Sequence, residues 1–224
     1  MAGPAGLERY TQPKAAEEVA KAAALEDPAK GLVKPEQSPK ELIEALSKAG
    51  HFADAVRSLA HALPRREAVW WAVQCVKAVP VHAAGEKASA ALGAAERWAT
   101  TPTDDNRRAA HAAAETAEVS SPAGCAAMAA FFSEGSLAPA SLQTVPPPPS
   151  ACAAMAAAAA TLAAVKDEPE KANEKYKKFL ALGQDVVAGA NRWIDGRPPP
   201  PPVGTAPPKP PARPGQPPPA KGWY

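Results

Sequence analysis

Leu63-Pro64-Arg65-Arg66-Glu67-Ala68-Val69-Trp70-Trp71-Ala72-Val73-Gln74-Cys75-Val76-Lys77-Ala78-Val79 is the stretch whose reading decides the fold. Pro64 suits a first helical turn, where its missing N–H costs nothing. At 100° per residue, Val69, Ala72, Val73, Val76 and Val79 share one broad apolar face, flanked by Ala68, Trp71 and Cys75. Arg66, Glu67, Gln74 and Lys77 take the opposite side, with Trp70 among them. Trp71 therefore turns inward. Trp70 fits a helix covered on both sides by other helices, and it also fits an aromatic anchor facing a partner.

Working outward from that helix, the same pattern repeats with different residues. Alanine makes up about a quarter of the chain, and the 28 prolines are more than twice the usual share. The two are segregated. Alanine fills the periodic segments, while proline gathers at their starts, at 146–149 and after Arg197. Strand formers cluster nowhere, so the fold class is all-α: a compact antiparallel helical bundle with a proline-rich C-terminal tail read as disordered.

Upstream, Ser38-Pro39-Lys40-Glu41 reads as a capping box with proline in the first turn, and Gly50 as a stop. A second helix over Phe52–Leu63 follows at once. Gly50, Phe52, Ala55, Val56, Leu59, Ala62 and Leu63 resemble the latter part of a tetratricopeptide repeat, giving one repeat-like hairpin at 42–63. Pro64 arrives earlier than that repeat's closing proline, and no second copy follows. Before it, Lys14–Glu26 has alanine and charge pairs but a weak apolar face, and predicts a marginal, loosely docked helix. Residues 27–37 read as a linker, so 1–37 is expected to be a flexible segment.

Downstream, helices are expected over Glu86–Thr101, from Thr103 to about Glu118, and from Ser121-Pro122 towards Gly135. Thr103 caps, with Asp104 and Asp105 at the positive helix end. Residues 136–149 predict a stiff crossover. Pro149–Ala157 then echoes Pro122–Ala130, with Cys152 and Met155 in the places of Cys125 and Met128, as two small-residue helices able to pack closely. A last helix, capped by Asp167 or Glu168, carries Tyr176, Phe179, Leu180, Gly183, Val186, Val187, Ala190 and Ile194 along one stripe. The bundle domain is thus 38–195, and 196–224 is the tail.

A formal charge of +2 speaks against a general nucleic-acid binder. Cys75, Cys125 and Cys152, an odd number without metal-ligand spacing, read as buried free thiols in a reducing compartment. With no signal segment and no apolar run long enough to span a bilayer, the expectation is a cytoplasmic protein without membrane insertion. His51, His61, His82 and His111 lie in separate segments without a ligand partner at helical spacing, His61 reading as a surface residue. Arg65-Arg66 and Arg107-Arg108 read as solvated helix faces before phosphate sites. No nucleophile motif or phosphate-binding loop appears, so neither enzyme activity nor cofactor is expected.

The tail supplies the clearest recognition signals. Pro208, Pro211 and Arg213 match PxxPxR spacing, in which prolines preset an extended helix and the arginine pairs with an acid. Trp223 and Tyr224 place two interface-type aromatics beyond a proline-rich spacer. With Trp70 and Arg66 these are the candidate partner-binding residues.

LPRREAVWWAVQC (63–75), AAERWATTPTDDNRRAA (94–110), SPAGCAAMAAFFSEGSLAP (121–139) and KYKKFLALGQDVVAG (175–189) together resemble a family of small bacterial all-helical proteins without assigned function. The resemblance covers roughly 38–195. Its members are often encoded beside type VI secretion components, such as spike-tip and accessory proteins. It implies a non-enzymatic adaptor whose partners are secretion-machine proteins or a second copy of itself. The alternatives are a structural homo-oligomer built through the alanine-rich helices, or an enzyme whose site is assembled from scattered polar residues.

Overall fold

The computed structural model describes residues 15–139 and 141–189. Residues 1–12, the tail and the site residues Pro208, Pro211, Arg213, Trp223 and Tyr224 lie outside them, while the last helix, expected to carry its stripe on to Ile194, already ends at Val187. Ten α-helices and no strand occur among the described residues: α1 Ala16–Ala22, α2 Pro39–Lys48, α3 Phe52–Ala62, α4 Arg65–Lys77, α5 Pro80–Ala83, α6 Glu86–Thr100, α7 Asp104–Thr116, α8 Pro122–Phe131, α9 Ala151–Val165 and α10 Ala172–Val187. The class is all-α.

Local chemistry sets the starts. Ser38 Oγ accepts from the Glu41 N–H at 3.3 Å while Glu41 Oε2 accepts from the Ser38 N–H at 2.8 Å, closing the capping box of α2. Thr103 Oγ1 accepts from the Asn106 N–H, and Ser121 Oγ from the Gly124 N–H, so α7 and α8 begin where their caps predict. Pro64 stands just before α4 rather than inside it.

The most enclosed element is α8. Every residue from Pro122 to Phe131 is buried, and α4, α6, α7 and α9 pack around it. A helix apolar on all sides has no solvent face to spend, and alanine, glycine and cysteine let four neighbours approach it. Its most extensive partner is α9, the echoing helix, so the two small-residue segments do pack together. Trp71, Val73, Val76, Trp98, Phe131, Phe179 and Leu180 are all buried in one cluster. Across the other side of α4 lies α10. Trp71 Nε1 donates to the Phe179 carbonyl at 2.9 Å, and a Cβ at Gly183 would stand 2.2 Å from Leu59 Cδ2. Only glycine lets α10 settle this closely onto α3.

Two expectations are corrected. The first helix is not loosely docked: Ala16, Ala20, Ala23, Leu25 and Ala29 are buried in the same core, Val19 is fully buried too, and the helix packs against α2 and α3. Its stripe is weak in hydrophobicity, but its small residues allow close approach. The supposed linker folds over it through a short 3-10 turn at Ala29–Leu32, and the Ala16 N–H donates to the Gln37 carbonyl. Nor does the 136–149 crossover run straight. The Leu137 N–H donates to the Val145 carbonyl at 2.8 Å, and Ser136 Oγ accepts from the N–H groups of Ala138 and Val145, so the chain doubles back there.

Candidate functional site

The two arginine pairs are the first places where charge meets buried structure. Phe131 and Thr100 are the last residues of α8 and α6, and the final carbonyls of a helix have no partner within it. Arg107, at 1% exposure, donates from Nη1 to the Phe131 carbonyl at 2.9 Å and from Nη2 to the Ser136 carbonyl at 2.8 Å. Asp104 Oδ1 accepts from Arg107 Nε at 2.9 Å and Nη2 at 2.6 Å. Arg108 donates Nε to Asp104 Oδ2 and Nη2 to the Ala138 carbonyl. These hydrogen bonds, from Arg108 and then Arg107, hold the Asp104 carboxyl below its usual range. The Arg107 guanidinium also lies 4.9 Å from the Phe131 ring centre, and His111 stacks on that ring at 4.1 Å.

Arg66 does the same for α6. Its Nε donates to the Ala99 carbonyl and its Nη2 to the Thr100 carbonyl at 2.9 Å. Arg65 Nη1 reaches the Ser133 carbonyl, just beyond α8, at 2.6 Å. So arginines in the first turns of α4 and α7 place positive charge at the negative ends of α6 and α8. The reading of Arg107 as part of a solvated face is thereby corrected, Arg66 and Arg108 are half-buried, and Arg65 has the exposure expected of it. The carbonyls they satisfy lie 24 to 68 residues away in the chain, beyond the reach of any periodic pattern. Burial lowers the Arg66 pKa against the raising effect of Glu67, and burial raises that of Glu67.

Trp70 is 7% exposed, so its ring is covered within the chain, as expected of a helix flanked on both sides. Arg66, half-buried, is engaged at the end of α6. Neither stands out as an open anchor. His61 is buried, not on the surface. His82 is also buried, its Nε2 3.3 Å from Asp167 Oδ2 but out of line for a hydrogen bond. The three cysteines are buried and free. Burial pushes their thiols up, Cys75 well above the ordinary value and Cys152 to about 12 despite the opposing charge of Arg65. Among the described residues no cluster of three or more His, Cys, Asp or Glu side chains could hold a metal ion. The alanine-rich helices have spent their small faces internally: α8 is wholly buried and only Ala154 of α9 is fully exposed.

Among several surface cavities, one is an apolar groove where the repeat-like hairpin α2–α3 meets α10. Ile43, Leu59, Ala62, Leu63 and Val187 line a cavity of about 340 Å³, with Lys40, Glu44 and Gln184 on its rim. A smaller cavity continues it past Ile43 and Leu59 to Ser47, Lys48 and Leu180. Ile43 is the half-buried member of the apolar set. Sequence periodicity put Ile43 and Val187 on core-facing stripes, and nothing local says that those stripes stop short of meeting.

The described residues thus form an all-α domain with arginine-capped helix ends and an apolar groove beside its last helix. The chain belongs to the DUF6931 family of unknown function, which matches residues 42–187. No curated protein and no solved structure matches it. No helix among the described residues is long and apolar enough to cross a membrane.

Proposed function

We propose that the protein is a non-enzymatic adaptor or accessory factor: the helical domain is a rigid base and the proline-rich segment after residue 196 is the arm that meets a protein partner. One observation carries this reading. α10 ends at Val187, and proline dominates from Pro198 onward, with Pro208, Pro211 and Arg213 in recognition spacing and Trp223-Tyr224 beyond. Proline-rich arms are read by aromatic-lined grooves, and large aromatics anchor interfaces. The arm's charged side chains, Arg197, Lys209, Arg213 and Lys221, are all positive, which suits an acidic protein surface. At a chain charge of +2 a protein partner fits better than nucleic acid. The resemblance of the four motifs makes that partner a component of a type VI contractile secretion machine, met in the cytoplasm.

The test is affinity capture from the native cell extract with the full chain and with a chain ending at Asp195. The full chain is expected to recover partners that the shortened chain does not. Equal recovery by both would overturn the role of the arm. Because a short extended segment contacts little surface, single substitutions at Trp223 or Arg213 should weaken capture rather than abolish it.

A further inference from the structure

The groove between α2, α3 and α10 is apolar, open at its rim and positioned where the chain leaves the domain. Leu180, Gln184 and Val187 follow one another along its α10 wall, about 10 Å at the helical rise. Gly189 stands two residues beyond α10 with φ at 95°, a left-handed turn that glycine adopts freely. Its N–H donates to the Val186 carbonyl at 3.0 Å, which closes the helix and redirects the chain. Between this turn and Pro198 the sequence is Ala190-Asn191-Arg192-Trp193-Ile194-Asp195-Gly196-Arg197. Trp193 and Ile194 are its only large apolar residues.

We propose that this groove is the seat of the chain's own Trp193-Ile194, which anchors the root of the proline-rich arm to the domain. Reach permits it: four residues from Gly189 to Trp193 extend at most about 14 Å, enough to cover the groove's length when the chain turns back. The indole matches an apolar floor with a polar rim, where Glu44 can accept from its N–H or pair with Arg192. Glu44 is free to do so because its ion pair with Lys40 is long, 3.9 Å, and exposed. The more distant aromatics fit less well. Trp223-Tyr224 stand 30 residues beyond Trp193 in the sequence, behind a proline-dense stretch of the composition that favours extended polyproline II over a return to a nearby surface. A cavity of about 340 Å³ is also at the small end for a drug-sized ligand but suits one large side chain. The seating does not depend on what the arm binds.

The experiment uses the full chain with Trp223→Phe and reads acrylamide quenching of tryptophan fluorescence. Trp70, Trp71 and Trp98 are buried at 7%, 0% and 2% exposure, so the fourth indole, Trp193, reports the groove. The expected result is no readily quenched component. Adding Ile43→Glu, which puts a carboxylate on the groove floor, should expose one indole in four with unchanged helical circular dichroism. Ile43→Ala supplies the same reading in milder form should the glutamate variant lose helicity. Ready quenching of Trp193 before any groove substitution would overturn the proposal, as would protection that neither Ile43 variant relieves. Protection that disappears on dilution, in step with a fall from dimer to monomer mass, would assign the groove to a second copy instead.

Discussion

At the scale of single residues, Arg107 is the side chain whose removal leaves most undone. Its guanidinium is almost wholly enclosed and satisfies two backbone carbonyls and one carboxylate oxygen. Deleting it leaves the Phe131 and Ser136 carbonyls without that donor, at about 1–3 kcal/mol for each or about 2–5 kcal/mol together, while Asp104 is exposed and keeps its pairing with Arg108. Arg107→Ala should therefore lower unfolding free energy by about that much in a denaturant titration. Arg66→Ala, at a half-buried site with water close by, should cost about 1–2 kcal/mol. Equal effects at the two positions would contradict the burial difference. The thiols give a second residue-scale prediction. The thiolate is the reactive form, and burial disfavours it at Cys75, Cys125 and Cys152. A maleimide should label all three in denaturant and none within minutes in the native protein. Here the sequence was legible for the cysteines, whose helical stripes are apolar, and misleading for Arg107, since a charged residue three places from an acid reads as surface.

At the scale of elements, His82 joins the short helix α5 to the end of α9. Burial lowers its pKa; the nearby Asp167 opposes this, Lys166 and Lys175 reinforce it, and a hydrogen bond with the Ala163 backbone opposes it again. The folded value thus lies below the unfolded 6.5, so the unfolded chain binds the proton more readily. Stability from this site is fully present above about pH 6.5 and is lost as pH falls through that value towards the folded pKa. The melting temperature should be level from pH 8 to 7 and decline below 6.5. Glu67, raised by burial, contributes with the opposite sign, becoming less costly as it protonates. His82→Asn isolates the histidine: the variant's melting temperature should fall less between pH 7 and 5.5 than that of the parent. An identical decline would show that His82 is not the group responsible. Element starts were readable because caps act within four residues, as Ser38, Thr103 and Ser121 do. The doubled-back loop after Ser136 was not, because its turns rest on Ser136 Oγ and Val145 meeting across nine residues.

At the scale of the whole molecule, the domain is larger than its repeat-like start suggests. Propensity alone makes α1 marginal, since seven residues are too few for an isolated helix in water. What holds it is tertiary. Val19 is fully buried, Leu25 nearly so, and four alanines complete the contact. The groove shows the same limit from the other direction: Ile43 and Val187 were readable as core-facing, but how closely α10 approaches α3 depends on Gly183 against Leu59 of the groove wall, a contact between distant residues. Burying a large aliphatic side chain is worth about 1.5–3 kcal/mol, so Val19 and Leu25 together should contribute about 3–6 kcal/mol before ordering costs. Those costs are real, because residues 15–37 must be fixed to gain it. A chain beginning at Ser38 would leave the α1-facing surfaces of α2 and α3 open to water. It should still fold as a helical protein, with a melting temperature lower by several degrees and binding of a hydrophobic dye that the full chain does not show. Val19→Asp in the full chain should reproduce both changes without shortening it. A shortened chain as stable as the full one, with no dye binding, would mean that α1 only rests on the domain and that the core is complete without it.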